Sequence, residues 1–166
     1  MPMRPSAEAR HRILFLDVDG VLNYRAIFVP GNPQPICPLA WSRLEAILAA
    51  TGAQVVLSST WRMNDHPDDP YHAKLRQIGL FRHTHPDWRT KHNLPSTGDG
   101  PLKEWPTRGD EIAEWLSRHP EIAAFAIVDD DSDLRDEQLH AFVQTSFAAG
   151  LTDAHRDRLI AILNAD

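Results

Sequence analysis

Hydrophobic and polar positions alternate in blocks along this chain. After a polar lead over residues 1–10, Ile13, Leu14, Phe15 and Leu16 form an unbroken apolar run that stops at Asp17-Val18-Asp19-Gly20. Continuous rather than alternating hydrophobicity predicts a strand buried on both faces, as in a parallel sheet. The same grammar recurs where Val55-Val56-Leu57 meets Ser58-Ser59-Thr60 and where Phe125-Ala126-Ile127-Val128 meets Asp129-Asp130-Asp131. Strands that each deliver small polar or acidic residues at their carboxyl ends suit an open α/β sheet with a site outside those ends.

Helical patterns fall between the strands, as crossover connections require. Trp41, Leu44, Ile47 and Leu48 share a helical face, with Pro38 suited to the first turn and Gly52 to the stop. Ile112, Trp115 and Leu116 mark a second helix, with Thr107 as N-cap, Asp110 three residues on and Pro120 beyond its end. A third follows Thr152 and carries Leu159, Ile160 and Leu163, while Phe142–Thr145 reads as one more short strand. Residues 63–106 break the pattern, with repeated Pro, Gly, Asp and His around one helical stretch near Leu75 and Ile78. This predicts a long irregular segment of functional or mobile character.

Composition narrows the class without naming a chemistry. The 166 residues fit one domain over 11–166 behind a flexible lead, and 42% hydrophobic with 24% charged residues is ordinary for a globular protein. A net charge of −6 argues against a broad basic face for nucleic acid. Cys37 is the single cysteine, so neither an internal disulfide nor a thiolate metal site is expected. With no secretory apolar stretch near the start and no run long enough to span a bilayer, a cytoplasmic, non-membrane protein is expected.

The segment Phe15-Leu16-Asp17-Val18-Asp19-Gly20-Val21-Leu22-Asn23 resembles the first signature of the haloacid dehalogenase (HAD) superfamily. That resemblance implies a three-layer, Rossmann-like parallel sheet with helices on both faces. It also implies a phosphatase in which Asp17 attacks phosphorus to form an aspartyl-phosphate and Asp19 serves as acid and base. The second signature, a hydroxyl that holds phosphoryl oxygens, is matched by Ser58, with Ser59 as the alternative. The third, a cation near the start of the helix before the last acidic strand, is matched by Arg108, with Lys103 as runner-up. The fourth is matched by Asp129 and Asp130. Family likeness implies Mg²⁺ held by Asp17, Asp130, the main-chain carbonyl of Asp19 and Asp129, the last either ligating or orienting. Asp131 and Asp133 extend the acidic loop, but their spacing is not that of an EF-hand.

Between Asn23 and Cys37, and again between Arg62 and Arg108, there is room for no more than a minimal cap, which predicts an open site. Asp-Gly-Val-Leu-Asn, Ser-Ser-Thr-Trp-Arg, Arg-Gly-Asp-Glu-Ile-Ala-Glu-Trp-Leu, Val-Asp-Asp-Asp-Ser-Asp and Gly150-Leu151-Thr152 together look like the small bacterial HAD domains of RNA-repair proteins. These are related in outline to the phosphatase half of polynucleotide kinase-phosphatases. The resemblance implies a terminal phosphate on nucleic acid, or a nucleotide, as substrate. Small-metabolite phosphatase and non-catalytic phosphate-binding module are the alternatives. Trp61 and Arg62 follow the phosphate-binding turn, and read either as contacts to a base or phosphate or as core and structural ion pair. His83, His85, Trp88, Arg89, Lys91 and His92 read either as a basic, aromatic loop that meets substrate or as an ordinary solvated one. Their spacing does not suggest zinc.

Overall fold

A computed structural model describes residues 11–29 and 33–165, so the lead over residues 1–10 lies outside the described residues. Five strands, β1 (His11–Leu16), β2 (Gln54–Leu57), β3 (Thr84–Arg89), β4 (Ile122–Asp129) and β5 (Phe142–Gln144), form one parallel sheet in the order β3-β2-β1-β4-β5. The α-helices are α1 (Pro38–Thr51), α2 (Pro70–Gln77), α3 (Arg108–Ser117) and α4 (Asp153–Asn164). Among the described residues, no helix is long and apolar enough to cross a membrane.

Strand β1 sorts the core into two faces, because successive side chains on a strand point to opposite sides. Ile13 and Phe15 pack with Val56, Ile127 and, from α3, Ile112 and Trp115. Leu14 and Leu16 pack on the other side with Leu44 and Ile47 of α1, Leu75 of α2, and Leu159 and Leu163 of α4. The result is the expected three-layer α/β architecture. Each such side chain contributes on the order of 1.5–3 kcal/mol by leaving water, and none of those named here retains measurable exposure.

The helix ends follow the residues that suit them. Pro38 opens α1, and Gly52 closes it in the left-handed conformation at φ 69°, with its N–H donating to the Leu48 carbonyl. Thr107 and Asp110 form a reciprocal capping box at the start of α3, and Thr152 caps α4.

Residues 63–106 contain α2, the helical stretch expected near Leu75 and Ile78, and depart from the expected irregularity by contributing the edge strand β3. This strand carries Pro86, contains no fully buried residue and pairs with β2 across a register shift. An edge position tolerates a proline because one side of the strand needs no ladder donor. The stretch is therefore not a free basic loop. His85 packs edge-on to Trp115, Trp88 packs edge-on to Phe81, and Lys91 Nζ lies 3.0 Å from Glu114. Among the described residues there is no second sheet and no separate helical domain that would form a cap.

The chain runs outward from β1 through β2 to β3, then returns to lay β4 and β5 on the other side of β1. This reversal opens a crevice at the carboxyl ends of β1 and β4, the usual place for a site in such sheets. Helix α3 is fastened beside that crevice by the loop after β4. Gly109 N donates to the Asp133 carbonyl at 3.0 Å, and Gln138 Nε2 donates to the Gly109 carbonyl at 2.9 Å. A Cβ at Gly109 would stand 2.6 Å from the Arg135 nitrogen and 2.7 Å from Gln138 Oε1, so this helix position admits no side chain without moving backbone.

Gly109→Ala is therefore expected to cost about 1–3 kcal/mol through overpacking, read from urea unfolding. A loss below about 0.5 kcal/mol, the range of an ordinary surface change, would contradict this close approach.

Candidate active site

Asp17 is the first residue beyond β1, and its backbone N–H donates to the Val128 carbonyl at 3.1 Å. The parallel register pairs Leu16 with Val128. Asp17 is thereby brought beside Asp129, the last residue of β4, and Asp130 follows. One oxygen from each of these three carboxylates lies within 4.8 Å of the others. Arg108, the first residue of α3, reaches into the group: its Nη1 is 3.2 Å from Asp17 Oδ1 and also donates to Asp129 Oδ2. Lys103 is elsewhere, with its ammonium 4.5 Å above the Trp105 ring. Of the two cations considered, Arg108 is the one at the acidic centre.

Burial, reinforced by the charges of Asp129 and Asp130 and opposed by Arg108, holds the Asp17 carboxyl well above the usual carboxylate range. Asp129 is raised too, chiefly by burial, although Arg108 works against it. Burial alone would lower Arg108, but Asp17 and Asp129 outweigh it, and the guanidinium is held above its ordinary value. One fixed cation thus faces three converging acids.

The donor set fits a hard divalent cation, which favours oxygen ligands. Asp129 is already engaged on both oxygens, by Arg108 and by the Asp131 N–H at 2.9 Å. The Asp130 carboxylate accepts no hydrogen bond among the described residues and is only partly buried. This suits Asp130 for direct ligation and Asp129 for orientation. Gly20, at φ 78°, makes room for the arrangement, since a Cβ there would collide with the Asp130 carboxylate. Thr145 joins the two acidic loops, its N–H donating to the Asp129 carbonyl at 2.9 Å and its hydroxyl to the Gly20 carbonyl at 2.6 Å.

Asp19 stands apart from the acidic group. Its Oδ1 accepts from Asn23 Nδ2 at 2.8 Å and its Oδ2 from Trp61 Nε1 at 3.0 Å. Ser58 lies alongside Asp17, with its N–H donating to the Leu16 carbonyl at 3.0 Å. The Ser58 hydroxyl is buried with no partner among the protein atoms, whereas Ser59 Oγ accepts from the Trp61 N–H at 3.2 Å. An uncommitted hydroxyl is the better suited of the two to a phosphoryl oxygen.

Trp61 and Arg62 are both almost wholly buried, an arrangement that suits a core residue and a structural ion pair. Arg62 donates to the carbonyls of Ser58, Ser59 and Thr90 and pairs with Glu111 Oε2 at 2.6 Å, which ties the serine turn to α3. Arg89 donates to the Arg62 carbonyl and to Asp65, so it too is committed internally. Asn23, Thr145, Gly109 and Glu111 were not assigned roles from sequence. The visible signals were slight: Asn23 is an Asx residue at the end of a tight turn, and Glu111 is one helical turn from Arg108.

A second cluster, His85, His119 and Glu121, also brings potential ligand atoms together. Its groups are satisfied internally: His119 meets Glu121 through Nδ1 and Asp87 through Nε2, and His85 Nδ1 accepts from the Asp87 N–H.

Comparison with curated proteins gave no match, and comparison with solved structures gave none. A family model does match, over residues 13–156, running from within β1 through the acidic centre to the first turn of α4. The chain belongs to that family, the HAD domain in Swiss Army Knife RNA repair proteins.

Proposed function

We propose that this HAD domain is a Mg²⁺-dependent phosphomonoesterase that works through an aspartyl-phosphate on Asp17 and acts on terminal phosphates of nucleic acid. The observation that carries the reading is the convergence of Asp17, Asp129 and Asp130 with Arg108 at the strand ends. In the first step an Asp17 oxygen bonds to phosphorus, the ester P–O bond breaks, and the leaving oxygen takes a proton from Asp19. In the second, water bonds to phosphorus and gives its proton to Asp19, while the bond from phosphorus to Asp17 breaks and releases phosphate. Arg108 opposes negative charge on the nucleophile and the phosphoryl oxygens, and Ser58 offers its free hydroxyl to them. Asp17, Asp130 and the Asp19 carbonyl would hold the metal, with Asp129 orienting. When bound, Mg²⁺ supplies charge neutralisation that lets an anionic phosphate approach an anionic carboxylate.

Two observations support a macromolecular substrate. Among the described residues no cap domain is present, and a cleft of about 810 Å³ beside α3, with Leu94, Pro95, Trp105 and Thr107 among its walls, is not lined by the acidic centre but includes Thr107, the chain neighbour of Arg108. Trp105 is 71% exposed, three residues before Arg108, and Lys103 sits over its ring. An exposed indole beside an ammonium suits a terminal base and its backbone phosphate.

Magnesium-dependent phosphate release from p-nitrophenyl phosphate tests the chemistry. Asp17→Asn is expected to lower kcat by about a thousandfold or more; undiminished turnover by that variant with the metal stripped would overturn the mechanism. Asp130→Asn is expected to raise the Mg²⁺ concentration for half-maximal rate about tenfold or more. An unchanged metal requirement would remove Asp130 from the ligands.

A panel of 3′- and 5′-phosphorylated oligonucleotides, mononucleotides and sugar phosphates tests the substrate class. Oligonucleotide ends are expected to be preferred, and Trp105→Ala to raise their KM about tenfold, the loss of roughly one stacked base, with p-nitrophenyl phosphate unaffected. Preference for sugar phosphates or mononucleotides would assign a metabolite phosphatase instead. Tight binding with no hydrolysis under any divalent metal would assign a binding module.

A further inference from the structure

The two motif aspartates stand two residues apart in very different surroundings. Asp17 faces like charges and a guanidinium, whereas both oxygens of Asp19 are held by neutral N–H donors. Those donors are themselves immobilised. Asn23 is fully buried and its Oδ1 accepts the Gly20 N–H at 2.9 Å, so the amide cannot turn without breaking the β1 turn. Trp61 is 1% exposed, its backbone N–H donates to Ser59 Oγ, and its ring packs edge-on against Tyr71 at 5.0 Å between centroids.

A buried indole N–H needs an acceptor, and a nearby backbone carbonyl would serve for packing alone. Here the acceptor is a side chain 42 residues away on the loop after β1, and the same carboxylate receives a second donor on its other oxygen. Two neutral donors at opposite oxygens fix the plane of a carboxylate while leaving further lone pairs free, since it has about four acceptor sites. A proton donor held in one plane is already aligned with the leaving oxygen, and misplacement by about 1 Å can cost on the order of a hundredfold in rate.

We infer that Trp61 and Asn23 are positioning residues that clamp the Asp19 carboxylate from both sides in the orientation for proton transfer to the leaving oxygen. The inference rests on the proton-transfer role of Asp19 proposed above. The proton passes from the Asp19 carboxyl to the ester oxygen as the P–O bond breaks and returns to Asp19 from the attacking water, and neither Trp61 nor Asn23 gains or loses one.

The test is the dependence of kcat/KM on the leaving group, measured with Mg²⁺ on p-nitrophenyl, phenyl and simple alkyl phosphates. This parameter covers the steps through departure of the alcohol, where a misaligned acid matters most for poor leaving groups. Trp61→Phe keeps an aromatic ring against Tyr71 and removes the N–H donor together with part of the ring volume, a packing loss that thermal unfolding reads separately. Asn23→Asp keeps the shape and the acceptor for Gly20 but replaces the amide donor. Asp19→Asn is the reference, and thermal unfolding is followed for each variant.

Both positioning variants are expected to lose about tenfold on alkyl phosphates and less than about threefold on p-nitrophenyl phosphate, reproducing in part the steeper leaving-group dependence of Asp19→Asn. An equal loss on every ester, or no loss on any, in either soluble, folded variant would overturn the clamp and leave a packing role. If Asp19→Asn itself shows no added sensitivity to the leaving group, the role of Asp19 fails, and the clamp falls with it. A normal effect of Asp19→Asn with flat behaviour in the other two defeats the clamp alone.

Discussion

Asp17, Asp129 and Asp130 are brought within 4.8 Å of one another by the pairing of β1 with β4, and the chain sets a single guanidinium, Arg108, among them. Two like charges at that separation repel by roughly 3 kcal/mol at an effective dielectric of about 20. Such crowding persists only because the surrounding structure over-determines it. The sheet register aligns the strand ends, Thr145 joins the loops that follow them, and Gly20 leaves space for the Asp130 carboxylate. Helix α3 is held by Gly109 against the loop after β4 and by Glu111 against Arg62. Remove the constraint and the carboxylates would separate; keep it and they form a place with strong affinity for positive charge.

The same geometry divides labour between residues that look alike in sequence. Asp17 lies deep, crowded by acids and faced by Arg108, while Asp19 is turned towards Asn23 and Trp61. Placing two carboxylates in contrasting environments is a general way to give them different chemical roles. Asp129 and Asp130 divide in a similar manner, one spent on Arg108 and the Asp131 N–H, the other uncommitted.

Strands buried on both faces were legible because unbroken apolar runs such as Ile13–Leu16 have few other uses in a globular chain. The caps at Gly52, Thr107 and Thr152 were legible because helix ends have local chemistry. Strand β3 was not, since Thr-His-Pro-Asp-Trp-Arg carries neither an apolar run nor clean alternation, and its place at the sheet edge is decided by pairing with β2. Arg108 could be favoured over Lys103 by its position before a helix, but its contact with Asp17 is tertiary. For Trp61 and Arg62, the sequence showed an aromatic and a cation beside a serine turn without showing which way they face. Their burial follows from Tyr71, Thr90 and Glu111, supplied by distant segments.

The central claim is that Asp17 becomes covalently phosphorylated. Rapid quenching during turnover, borohydride reduction of any acyl phosphate and peptide mass spectrometry would test it most directly. The account predicts homoserine at position 17, dependent on both substrate and Mg²⁺. Reduction at another carboxylate, or full turnover with position 17 unmodified at every quench time, would contradict it.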